Sequence, residues 1–125
     1  MFQALLVAVG GAIGSLLRYY VGLGSVRLMG PSFPWGTLTV NVVGCFVIGV
    51  FAEMIARRFD ASTELRLLLI TGFLGGFTTF SAFSLDAITL FERGEVLAGG
   101  IYIAASVGLS MLAVIAGLGL MRALI

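Results

Sequence analysis

Four apolar runs, each long enough to cross a lipid bilayer, take up almost the whole chain and leave only short polar joints between them. Phe2 to Val26 is interrupted only by Arg18, while Trp35 to Ala52, Leu67 to Leu85 and Val96 to Met121 carry no charge at all. A spanning helix takes about 20 mostly apolar residues, so four of them use roughly 80 and leave room for little beyond joints and helix ends. The composition agrees, being 60% hydrophobic and only 10% charged. A soluble chain carries about 25% charge, so this much apolar surface needs lipid as its solvent. The expectation is an all-α membrane protein of four transmembrane helices forming a single domain over 1–125, with spans near 2–26, 35–56, 65–91 and 96–121.

The joints are legible from their residue types. Gly30, Pro31 and Pro34 break the chain after the first run, because proline lacks a backbone donor and pushes the residue before it away from helix. The second helix ends around Glu53, Arg57 and Arg58, where charge can reach the headgroups. Asp60, Ser62 and Thr63 are helix-capping types, and Glu64 suits the positive end of the next helix. Glu92, Arg93, Gly94 and Glu95 form a tight turn, with Gly94 fit for a left-handed C-terminal cap, so the last two helices make an antiparallel hairpin. Arginine bias, which normally fixes orientation, almost cancels. Arg57, Arg58, Arg66 and Arg122 fall on one side; Arg27, Arg93 and arguably Arg18 fall on the other. Such a near tie is compatible with insertion in both orientations and equally with a single orientation fixed by a bias of one or two arginines.

No lysine, histidine or run of like charges is present, which argues against a nucleic-acid partner. The lone Cys45, in an apolar stretch, reads as a small buried hydrophobe. Polar residues inside the spans are therefore the informative ones. Thr37, Asn41, Cys45 and Gly49 recur every fourth residue and share one stripe of the second helix. Asn41 lies about two turns inside the span, where an unsatisfied amide costs roughly 1 to 3 kcal/mol or more, so it must bond a neighbour or face water.

The string from Gly72 to Ser84, GFLGGFTTFSAFS, makes a poor uninterrupted helix. Gly72, Gly75 and Gly76 each weaken it by about 1 kcal/mol, and the hydroxyls of Thr78, Thr79, Ser81 and Ser84 compete for its backbone groups. A third helix broken near its middle is expected, with freed carbonyls lining protein or a wet cavity. Phe80 and Phe83 share a face, as do Ser81 and Ser84. A phenylalanine ring has a positive edge, so rings turned edge-on can attract an anion weakly, without a formal charge. On the fourth helix Tyr102, Ser106 and Ser110 form either a hydroxyl track or a close-packing face.

Together GGAIGSLLRY from Gly10, GTLTVNVVG from Gly36 and GFLGGFTTFSAFS from Gly72 resemble the CrcB, or Fluc, fluoride channel family, in order and across the whole chain. The resemblance implies a dual-topology homodimer whose antiparallel subunits enclose two fluoride pores. It also implies a structural sodium ion at the dimer centre, held by the backbone carbonyls of Gly75 and Thr78. By motif position Phe80 and Phe83 match the ring lining of the pore, and Asn41 matches the amide beside it. Ser81, Ser84, Thr37, Tyr102, Ser106 and Ser110 fall at polar-track or vestibule positions, and Arg18 matches an arginine that recurs in the first helix. Ala82 and Asp86 depart from the threonine and glutamate often found there.

The resulting expectation is passive, selective fluoride efflux through a multi-pass protein of a prokaryotic plasma (inner) membrane, protecting the cell from fluoride. Lipid, fluoride and a second copy of the chain are the implied partners. A proton-coupled small multidrug exporter would need a membrane-embedded carboxylate in the first helix, which instead holds Arg18. A non-transporting scaffold that packs through its glycines is the other alternative. An enzyme is not expected, since no histidine or nucleophile and base pair is available for common hydrolytic chemistry.

Overall fold

The computed structural model describes every residue from Met1 to Ile125. Helix α1 covers Phe2–Met29 and α2 covers Trp35–Arg58. The third span is composite: α3 over Thr63–Leu65, a π-helical stretch over Arg66–Leu74, α4 over Gly75–Phe77 and α5 over Phe80–Glu92. Helix α6, Val96–Leu124, completes the chain. Four spans of 28, 24, 30 and 29 residues are thus long and apolar enough to cross a membrane.

Each joint has a local cause. Proline cannot donate a backbone hydrogen bond, and the chain turns through Pro31 and Pro34 before α2 begins. Ser62 caps α3 by accepting a hydrogen bond from Leu65 N–H at 3.2 Å. Gly94 has φ +81°, the left-handed conformation that closes the turn between α5 and α6. Glu53 pairs with Arg57 at 2.6 Å and with Arg122 at 3.3 Å, tying the end of α2 to the end of α6.

Packing rests on small residues. Helix α1 lies against the π-helical stretch and α4, and α2 lies against α6. Gly10 and Gly14 of α1 meet Leu68, Phe73 and Phe77, while Gly72 and Gly76 receive Val7 and Gly11 in return. Two glycine pairs four residues apart therefore interlock backbone to backbone, the usual way helices approach closely in lipid. Gly49 and Gly117 do the same between α2 and α6. Only 16 of 125 residues are buried, because most apolar side chains face outward, where lipid serves as well as a protein core. The one larger buried cluster joins Phe83, Ala87 and Leu90 of α5 to Tyr102 of α6, and it braces the polar groups described next.

Candidate functional site

Between α4 and α5 the backbone leaves the helical region. Thr78 has φ −87° and ψ 160°, and Thr79 has φ −154° and ψ 121°. Asn41 clasps this segment with its whole amide: Oδ1 accepts from Thr79 N–H at 2.8 Å, and Nδ2 donates to the Thr79 carbonyl at 3.0 Å. Thr79 also caps α5, its hydroxyl accepting from Ala82 N–H at 3.1 Å. In a continuous helix Thr79 N–H would close on the Gly75 carbonyl and Ala82 N–H on that of Thr78. Both donors are diverted, so the Gly75 and Thr78 carbonyls lose their usual helical partners. Nearby, Arg18 donates from Nε to the Gly76 carbonyl at 2.9 Å.

A cavity of about 310 Å³ opens beside this segment, lined by Asn41, Cys45, Thr78, Thr79, Phe80, Phe83, Ser106, Val107, Ser110 and Met111. Five of the residues singled out in the sequence meet here: Asn41, Phe80, Phe83, Ser106 and Ser110. The two phenylalanine rings stand 5.6 Å apart, tilted by 47°. Phe83 is 9% exposed, whereas Phe80 is 78% exposed. The Ser106 hydroxyl is buried and has no hydrogen-bond partner.

Thr37 and Tyr102 belong to a second group. Both donate to the same oxygen of Asp86, Thr37 at 2.7 Å and Tyr102 at 3.2 Å. Thr37 and Asp86 line a separate cavity of about 270 Å³ at the end of the bundle that carries Phe33, Trp35 and Arg93. The two groups are joined by packing, since the Phe83 and Tyr102 rings lie 5.3 Å apart between them, tilted by 45°. Ser81 and Ser84 line neither cavity; Ser81 approaches the Thr79 hydroxyl at 3.3 Å and Ser84 donates to the Phe80 carbonyl at 3.0 Å. Arg18 faces a third cavity, of about 380 Å³, which also takes in Thr37, Thr79 and Ala82.

Several neighbours had no site role assigned to them from the sequence. Cys45 is half-buried rather than fully buried and lines the cavity with Asn41, to which its place on the same stripe pointed. Asp86 is the acceptor for two candidate groups, Thr37 and Tyr102. Val107 and Met111 carry no chemical signal at all. No three of His, Cys, Asp and Glu gather anywhere. Gly75 and Thr78, whose carbonyls lose their helical partners at the break along with those of Gly76 and Phe77, line a small cavity of about 130 Å³ with Gly44 and Cys45. Hard cations favour such oxygens, but one chain brings only two.

Comparison with known proteins places this arrangement. Residues 5–118 match the family described as CrcB-like protein, Camphor Resistance (CrcB). A protein of Rhizobium leguminosarum bv. trifolii named fluoride-specific ion channel FluC is 85% identical over 124 residues, 99% of each chain. The protein of the same name from Rhizobium etli is 82% identical over the full length of both, and that of Rhizobium meliloti is 62% identical over the full length of both. By a match that spans nearly all of its length, the chain belongs to the CrcB family.

Proposed function

We propose that this protein is a fluoride-selective channel, a multi-pass protein of the bacterial plasma membrane through which fluoride leaves the cell down its own gradient. The convergence of Asn41, Ser106 and Ser110 with the rings of Phe80 and Phe83 around one cavity is the observation that carries the reading. The names of the full-length relatives support it from outside the chain. Fluoride is small and strongly hydrated, so a narrow path must replace its water with several weak donors. Asn41 Nδ2 has a second hydrogen beyond the one given to Thr79, Ser106 and Ser110 supply hydroxyls, and the rings supply positive edges. None of these is a full charge, which lets the ion leave as readily as it arrives.

The working unit in this proposal is an antiparallel pair. Phe80 lines the cavity but is 78% exposed, so one chain leaves the path open on that side, and a second copy would cover it. The near-equal arginine counts of the two faces favour insertion both ways. A two-fold axis beside the third span would also bring two Gly75 and two Thr78 carbonyls together, four oxygens where a single chain offers two, which suits a structural sodium ion. When bound, the ion would neutralise carbonyl dipoles that the diverted hydrogen bonds leave exposed. In sealed membrane vesicles, a single cysteine introduced as Glu92→Cys in a Cys45→Ala background is expected to be labelled from both sides in comparable amounts. Labelling from one side alone would refute the mixed orientation.

The channel reading is tested with purified protein in liposomes, following fluoride efflux with a fluoride electrode in the absence of a proton gradient. Robust efflux is expected. Phe80→Ile and Phe83→Ile keep most apolar volume but remove the ring edge, and each 1.4 kcal/mol added to the barrier slows passage about tenfold. Flux should therefore fall by about tenfold or more while the variants still purify as normal dimers. Unchanged flux in well-assembled variants would make the rings packing elements and move the path elsewhere.

A further inference from the structure

The cavity that holds Thr37 and Asp86 has one cation in its wall, Arg93, and one anion, Asp86. Arg93 stands at the rim, about half exposed, with Nη2 donating to the Ser32 carbonyl at 2.9 Å and to Glu95 Oε2 at 2.7 Å. It thus fastens the α5–α6 turn to the α1–α2 joint. The left-handed Gly94 between Arg93 and Glu95 lets the chain reverse there, which brings the two side chains together although they are only two residues apart. Glu95 is half exposed as well and, with Ser32 and Arg93, borders a shallow depression just outside the cavity. Arg27 and Glu92 lie towards the same end in sequence but do not line the cavity.

An anion moving into this cavity passes a guanidinium that could attract it, a carboxylate that cancels much of that attraction, and then Asp86 below. Two opposite charges in contact look nearly neutral from several ångströms away. We propose that Arg93 is the residue that captures fluoride at the channel mouth and that Glu95 sets how strongly it does so, by masking it. This rests on the channel reading above and extends it from the narrow path to the mouth. Arg93 need not touch the ion for long: its role is to raise the local anion concentration, and an exposed charge acts that way through a screened field.

The sign of each substitution follows. Arg93→Gln leaves the Glu95 carboxylate unmasked, so the rim becomes negative. Glu95→Gln leaves Arg93 unmasked and keeps its bond to Ser32, so the rim becomes positive. A unit charge about 7 Å from a passing ion in water changes the local ion concentration about threefold. At low fluoride, where capture limits the rate, and with one of the two pores of an antiparallel pair entered at its Arg93 end, Arg93→Gln should lower initial efflux about 1.5-fold and Glu95→Gln should raise it about twofold. Both effects should shrink towards nothing as an impermeant salt is raised from about 10 mM to about 1 M, since the screening length falls from about 30 Å to about 3 Å. Arg93→Lys keeps the charge and should retain efflux close to the unmodified level.

Efflux from liposomes at two ionic strengths decides the matter. Opposite, salt-sensitive shifts in the two glutamine variants support the proposal. Shifts in the same direction, shifts that survive high salt, no shift, or a loss in Arg93→Lys equal to that in Arg93→Gln would each overturn it and leave the Arg93 tie to Ser32 as a brace. If Arg93→Gln fails to assemble, Glu95→Gln decides alone, because it leaves that tie in place. Absence of efflux from the unmodified protein would instead refute the channel reading itself.

Discussion

Gly14→Ala is expected to prevent assembly of the folded protein, although it adds a single methyl group. In an exposed helix the same change is favourable, since alanine is the better helix former by about 1 kcal/mol. Here a Cβ at Gly14 would collide with the Phe73 carbonyl and come within 2.9 Å of Phe77 N, and both are backbone groups that cannot swing aside. Relief requires α1 to move off the third span, which opens the interlock of Gly10 and Gly14 with Gly72 and Gly76 along its length. Without a hydrophobic force between helices in lipid, close packing is most of what holds them, so a loss above about 4 kcal/mol is expected. Gly119→Ala, with nothing within 4 Å, is the control and should be neutral or mildly stabilising. The measurement is the yield of monodisperse protein and its unfolding temperature in detergent. A Gly14→Ala protein as stable as the Gly119→Ala protein would mean that the two spans are not in backbone contact.

Why some of this was legible in the sequence and some was not follows from the kind of signal each feature leaves. The spans were legible because the cost of charge in hydrocarbon writes itself into composition, and the joints because proline and glycine act on their own backbone. Asn41 could be singled out from its depth alone, yet its partner could not: the clasp on Thr79 joins residues 38 apart, and no local rule points across that distance. The π-helical stretch over Arg66–Leu74 left no mark on residue choice either. Its sequence, RLLLITGFL, would serve an ordinary helix, and the wider winding goes with the contacts that Gly10 and Gly72 make with each other's helices. The serines divide in the same way. Ser81, Ser84, Ser106 and Ser110 look alike as residue types, but Ser106 and Ser110 line the cavity while Ser84 turns back to its own helix.

Asn41→Leu is expected to lower fluoride efflux by about 100-fold or more, for two separable reasons. Leucine has nearly the same shape, so the cavity wall would survive, but the Thr79 N–H and carbonyl would both lose their partner. Each buried backbone group left unsatisfied costs about 1 to 3 kcal/mol, enough to let the extended Thr78 and Thr79 segment shift and to disturb the Gly75 and Thr78 carbonyls with it. The ion would also lose the free amide hydrogen. Asn41→Asp separates these effects. Its carboxylate still accepts from Thr79 N–H, preserving half of the clasp, yet offers a passing anion a negative charge in place of a donor. Its second oxygen, however, faces the Thr79 carbonyl where the amide donated, so the aspartate variant should conduct no better than the leucine variant. If Asn41→Asp conducts normally, the amide acts only as a brace for Thr79 and the ion does not pass it. If Asn41→Leu alone conducts normally, the clasp itself is dispensable, and the geometry of the Thr78 and Thr79 segment must be held by the Thr79 cap on α5.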